Sequence, residues 1–91
     1  VIPKIENDYI FDLDDSLLAE LMIFSKKVGA AIEKAIPCER LGISVIGLEV
    51  PHTHVHLIPM KTMDDVNFTR PKLHPSQEEL AAVADNIRNF L

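Results

Sequence analysis

The stretch His52-Thr53-His54-Val55-His56-Leu57-Ile58 decides how this chain is read, because it sets three imidazoles at every second position among β-branched and apolar residues. On a strand, successive side chains project to opposite faces, so His52, His54 and His56 share one face while Thr53, Val55 and Leu57 share the other. On a helix the same residues would step by about 200° and scatter. The β-branched Thr53, Val55 and Ile58 favour the strand, and Pro59 is expected to end it.

Upstream, Leu41-Gly42-Ile43-Ser44-Val45-Ile46-Gly47-Leu48 is short, β-branched and interrupted by glycine, which reads as a second strand. Glu49-Val50-Pro51 forms a tight connection, so the two strands should pair antiparallel. Before them, Leu17, Leu21, Phe24, Val28, Ile32 and Ala35 recur at helical intervals, predicting a long helix that starts near Leu13 to Ser16 and stops at Pro37. The acids of Asp12-Leu13-Asp14-Asp15 suit its positive end. Downstream, residues 60–75 are polar, carry Pro71 and Pro75 and show no period, which predicts a loop longer than is usual. Ser76-Gln77-Glu78-Glu79 then has capping-box spacing before a second stripe, Leu80, Val83, Ala84, Ile87 and Leu91. The expected class is α+β: a small antiparallel sheet packed against the long helix, with the C-terminal helix docked nearby.

Ninety-one residues make one domain, 1–91, with a modest core, since a domain this small buries only about 60% of the surface of its unfolded chain. The formal charge of −5 argues against a nucleic-acid polymer as partner, while a small phosphorylated ligand can still be held by a few local donors. A single cysteine, Cys38, rules out an intrachain disulfide and suits a reducing compartment. No run approaches the ~18 apolar residues of a membrane span, so the chain reads as soluble and cytoplasmic, with no membrane partner.

Three readings compete for the histidine face. It could be a solvated surface, although three of the four histidines fall within five residues. It could bind zinc through a neighbouring pair, but His52 and His56 lie about 13 Å apart along a strand, too far for all three to ligate one ion. Or it could serve phosphate chemistry, in which one neutral ring attacks phosphorus and flanking rings donate to oxyanions. His54, with a histidine on each side, is the best placed nucleophile of the three.

The run resembles the signature of the histidine-triad superfamily, His-φ-His-φ-His-φ-φ. Val1-Ile2-Pro3-Lys4 is similar to the strand end before that family's long helix, Gly47 sits where its turn into the triad has glycine, and Leu57-Ile58-Pro59 is similar to its exit. The resemblance covers roughly Val1 to Met60. It implies a nucleotide hydrolase or nucleotidyl transferase acting on nucleoside phosphoramidates or dinucleoside polyphosphates, with His54 as nucleophile, His56 on phosphate oxygens and His52 positioning the substrate and the loaded ring. Gly47 and Glu49 join His52 and His56 as substrate- and phosphate-binding candidates. No metal and no other cofactor is required, and a homodimer with the long helix near its interface is implied.

The sequence departs from the family at four places. Leu41 and Leu48 stand where relatives carry an asparagine and a glutamine, Glu49 replaces a small hydroxyl residue, and Thr53 occupies an apolar position. The family's N-terminal strands have no counterpart before Val1, so the chain is expected to be N-terminally incomplete. Lys4 and Arg70 are secondary phosphate candidates, His74 is expected on a surface loop, and the 60–75 loop could form a substrate rim. A nucleotide-binding module without turnover is the alternative function, and a zinc-binding domain a further one.

Overall fold

The side chain of Asp14 accepts from the Leu17 amide at 2.8 Å and starts helix α1, Asp15–Ala35, within the expected window. Asp15 in its first turn and Lys34 in its last complement the helix dipole, and Ile36 leaves helical geometry just before Pro37. The computed structural model describes all of residues 1–91.

The buried face of α1 is rotated from the expected stripe. Leu21, Ser25, Gly29, Ala31 and Ile32 are buried, whereas Phe24 is exposed. Small residues face inward because the sheet approaches closely: a Cβ on Gly29 would stand 3.1 Å from Cδ1 of Leu41. The Ser25 hydroxyl, fully buried, donates to the Leu21 carbonyl one turn back and so satisfies itself.

Strands β1, Arg40–Ser44, and β2, His56–Met60, pair antiparallel with Gly42 opposite Ile58 and Ser44 opposite His56. Both differ from expectation. The first stops at Ser44 rather than Leu48, and the second starts at His56 and runs through Pro59 to Met60. Pro59 is accommodated because each strand of a two-stranded sheet is an edge, where a missing amide need not face the partner. The ladder ends at His56 because the preceding residues are bonded elsewhere. Val55 exchanges backbone hydrogen bonds with Val1, at 2.7 and 2.8 Å, and the Thr53 amide donates to the Asn7 carbonyl.

The period-two reading survives this change of partner. Thr53 and Val55 are buried, each 2% exposed, while His52, His54 and His56 are half-buried on the other side. Val55 joins Leu13 and Leu21 in the core, against which Val1, Ile10, Leu17, Leu18, Met22, Val45 and Leu57 pack. Anchoring the odd-numbered residues against α1 thus fixes the direction in which the imidazoles point.

Residues 61–75 are the expected loop, with one short element inside it. Met63–Val66 forms a single 3-10 turn, and Asp65 Oδ2 accepts from the amides of Lys61 and Thr62 at 2.8 and 3.0 Å. These amides hold the Asp65 carboxyl below the usual carboxylate range, and Arg70 adds to the effect. Arg70 closes the turn by pairing with Asp64 at 3.2 Å and Asp65 at 3.3 Å. Helix α2, Gln77–Arg88, is capped by the Ser76 hydroxyl, which accepts from the Glu79 amide at 3.1 Å. It touches the end of α1, where the Asn86 side-chain amide donates to the Ala35 carbonyl at 3.1 Å, but its apolar stripe is only half covered: Ala84 and Ile87 are partly buried, and Leu80, Val83 and Leu91 are exposed. No helix is long and apolar enough to cross a membrane.

Candidate active site

His54 and His56 meet edge to face, with ring centroids 4.7 Å apart at 77°. Both line one cavity of ≈ 430 Å³, a size suited to a small ligand, together with Ile46, Leu48, Glu49, Val50, Phe68 and Lys72. The strand side of this cavity follows from β2 and its inward anchors. The opposite wall comes from the segment after the 3-10 turn, where the Phe68 ring lies 5.1 Å from that of His56 and Lys72 Nζ stands 6.0 Å from the centre of Phe68.

The histidine ring nitrogens are set by what they touch. Nδ1 of His54 lies 2.8 Å from the carbonyl oxygen of His52. A carbonyl can only accept, so Nδ1 carries the proton, and in the neutral ring Nε2 holds the free lone pair. Nε2 of His52 lies 3.1 Å from the Pro3 carbonyl and is by the same logic the donor. That bond ties His52 to the N-terminal segment, and His52 is not among the cavity-lining residues. The pKa of His56 is lowered from its usual 6.5, first by burial and then by the charges of His54, the Val1 ammonium and Lys72. His56 is therefore neutral near pH 7, with one N–H to donate.

The other anticipated residues separate. Glu49 lines the main cavity, whereas Gly47 lines a smaller neighbouring one of ≈ 70 Å³ with Tyr9, Phe11, Thr53 and His54. Leu48 is a fully open apolar wall, 91% exposed. Leu41 faces α1 and pairs with Pro59, outside the site. Arg70 is engaged by Asp64 and Asp65, and Lys4 and His74 are exposed away from the cavity. Thr53, a polar residue at an apolar position, is satisfied by donating to Oδ1 of Asn7 at 2.9 Å. No group of three or more His, Cys, Asp or Glu side chains is placed to hold a metal ion.

Sequence reasoning missed Ile46, Val50, Phe68 and Lys72 as lining residues. The length of the 60–75 segment marked it as a candidate rim, but which side chains turn inward depends on the Asp65–Arg70 contacts, which no periodicity signals.

The fold and sequence match those of known proteins. The HIT domain model matches residues 1–63. Over 69 residues, 70% of this chain, the sequence is 36% identical to a bis(5'-nucleosyl)-tetraphosphatase (asymmetrical) of Schizosaccharomyces pombe, and the chain spans 38% of that relative's length. Among solved structures, a histidine triad protein of Bradyrhizobium japonicum superimposes with a TM-score of 0.78 at 28% identity, over 98% of this chain and 71% of that one. A histidine triad (HIT) protein of Sinorhizobium meliloti superimposes with a TM-score of 0.80 at 28% identity, over 99% and 71%.

Proposed function

The chain belongs to the histidine-triad (HIT) family, and on that premise we propose that it hydrolyses nucleotides through a covalent nucleotidyl-histidine formed at His54. The observation that carries the reading is the hydrogen bond from His54 Nδ1 to the His52 carbonyl, which leaves Nε2 as the nucleophilic nitrogen of a ring that lines the cavity. Nε2 attacks the α-phosphorus of a nucleoside phosphoramidate or dinucleoside polyphosphate. The N–P bond forms as the bond from phosphorus to the leaving nitrogen or oxygen breaks; an amine leaving group takes its proton from solvent water, and a nucleoside polyphosphate leaves as the anion. Water then attacks the same phosphorus, the N–P bond breaks, and nucleoside monophosphate is released with the ring restored.

Each neighbour has a role consistent with its contacts. His56, neutral and edge-on to His54, donates its single N–H to a phosphate oxygen where charge develops. His52 is a positioning residue: its carbonyl orients the His54 ring, and its own ring is held by Pro3. Gly47 and Glu49 border the phosphates, and the apolar Ile46, Leu48 and Val50 offer a surface to the nucleoside. The reaction needs no metal in this scheme. A homodimer in the cytoplasm belongs to the same proposal, and the exposed Ile23 and Phe24 on α1 support the dimer.

The test is to incubate the full-length protein with adenosine phosphoramidate and with diadenosine tetraphosphate in the presence of chelator. AMP release that disappears in His54→Ala is expected, together with trapping of an adenylyl-histidine on rapid acid-free quenching. Turnover that survives His54→Ala would sink the reading. Nucleotide binding without any turnover would favour a binding module, a reading motivated by Leu48, an apolar cavity wall where the family resemblance implies a polar side chain.

A further inference from the structure

Lys72 is the only lysine or arginine that lines the cavity. It is carried by the segment after residues 1–63, the part matched by the family model. Two independent features place it. Its ammonium stands over the Phe68 ring, and Phe68 packs in turn against His56, so the rings and the cation follow one another from His54 to Lys72. The segment is also closed on itself by Asp65, which caps the 3-10 turn, and by Arg70, which pairs with Asp64 and Asp65.

We propose that Lys72 binds the phosphates beyond the one His54 attacks, making the site selective for nucleotides with a polyphosphate chain over those with a single phosphate. The proposal rests on the reading of His54 as the nucleophile. A protein of net charge −5 needs a local cation to hold a multiply charged anion, and Glu49, the other charged residue in the cavity, works against one. An ammonium is a compact point charge on a flexible stem, suited to follow a phosphate chain without fixing its geometry. As the P–O bond breaks in a dinucleoside polyphosphate, the negative charge of the departing nucleoside polyphosphate grows. Lys72 lies at the end of the ring series remote from His54, where that group would reside, and stabilises the charge there. A phosphoramidate, whose leaving group is an amine, gains nothing from it.

Calorimetric titration of the full chain with AMP and with ATP, in magnesium-free buffer, tests this without relying on turnover. In the wild type ATP is expected to bind ~10-fold or more tighter than AMP, the scale of one charge-assisted hydrogen bond. Lys72→Met should remove most of that advantage and leave AMP within about 2-fold, and Lys72→Arg should keep most of it. Equal affinity for ATP and AMP in the wild type, or an unchanged ATP advantage in Lys72→Met, overturns the proposal even if His54-dependent hydrolysis stands. In parallel, kcat/KM for diadenosine tetraphosphate should fall ~10-fold in Lys72→Met while that for adenosine phosphoramidate holds; equal losses on both substrates would also overturn it. A Lys72-dependent ATP advantage in a protein that hydrolyses neither substrate would remove the hydrolase reading and, with it, the leaving-group role of Lys72, leaving only its part in polyphosphate binding.

Discussion

The Nδ1 proton of His54 is given to the backbone carbonyl of His52 at 2.8 Å, so the residue two positions earlier selects the tautomer of the central ring. A hydrogen bond to backbone is insensitive to substitution of the His52 side chain, which makes the orientation of His54 a property of the chain path. In ¹⁵N-resolved NMR at a pH where the ring is neutral, His54 should show a protonated Nδ1 and an unprotonated Nε2. The reverse pattern would remove the geometric basis for nucleophilic attack through Nε2.

Thr53 and Asn7 form a second local lock. The Thr53 hydroxyl, buried beneath the triad, donates to Asn7 Oδ1, and the Thr53 amide donates to the Asn7 carbonyl. Asn7→Ala strands a buried hydroxyl and should cost about 1–3 kcal/mol. Thr53→Val removes the group that needs a partner and keeps the shape, so adding it to Asn7→Ala should recover much of the loss. Urea unfolding of the two single variants and the double variant gives the coupling directly. Additive effects would show that the contact contributes nothing.

Much of this was legible because burial obeys period. The alternation of Thr53, Val55 and Leu57 with three histidines puts the imidazoles on one side whether or not the segment is paired in a ladder, which is why the site could be read although β2 begins only at His56. Asp14 and Pro37 bracket α1 through local backbone chemistry that any sequence carries on its face. What escaped were consequences of tertiary approach. Phe24 fits the apolar stripe as well as Leu21 does, yet the closeness of Leu41 to Gly29 turns the small residues Ser25 and Gly29 inward and leaves Phe24 outside. Phe68 and Lys72 enter the cavity because an aspartate and an arginine fold a polar segment back, and neither residue stands out in the sequence.

His56 makes the site sensitive to mild acid. Its folded-state pKa lies below the usual 6.5, so between those two values the unfolded chain binds the proton that the folded chain refuses. Stability should therefore be full above pH 6.5 and decline as pH falls from 6.5 toward the lowered value, by more in the wild type than in His56→Asn. Denaturant midpoints at pH 7.5 and 5.5 for both proteins check the difference. An identical decline in the two would place the acid sensitivity elsewhere.

The rotation of α1 yields the last test. Leu21 is 5% exposed and part of the core, so Leu21→Ala should cost about 2–5 kcal/mol of unfolding free energy. Phe24 is 51% exposed, and in a monomer Phe24→Ala should stay within about 0.5 kcal/mol, as for other surface positions. If Ile23 and Phe24 instead sit in a homodimer interface, the loss at Phe24 should appear as a weaker dimer, read as a protein-concentration-dependent melting midpoint and a lower mass in light scattering. A loss at Phe24 as large as that at Leu21, with no dependence on concentration, would mean that the long helix packs on its predicted stripe after all.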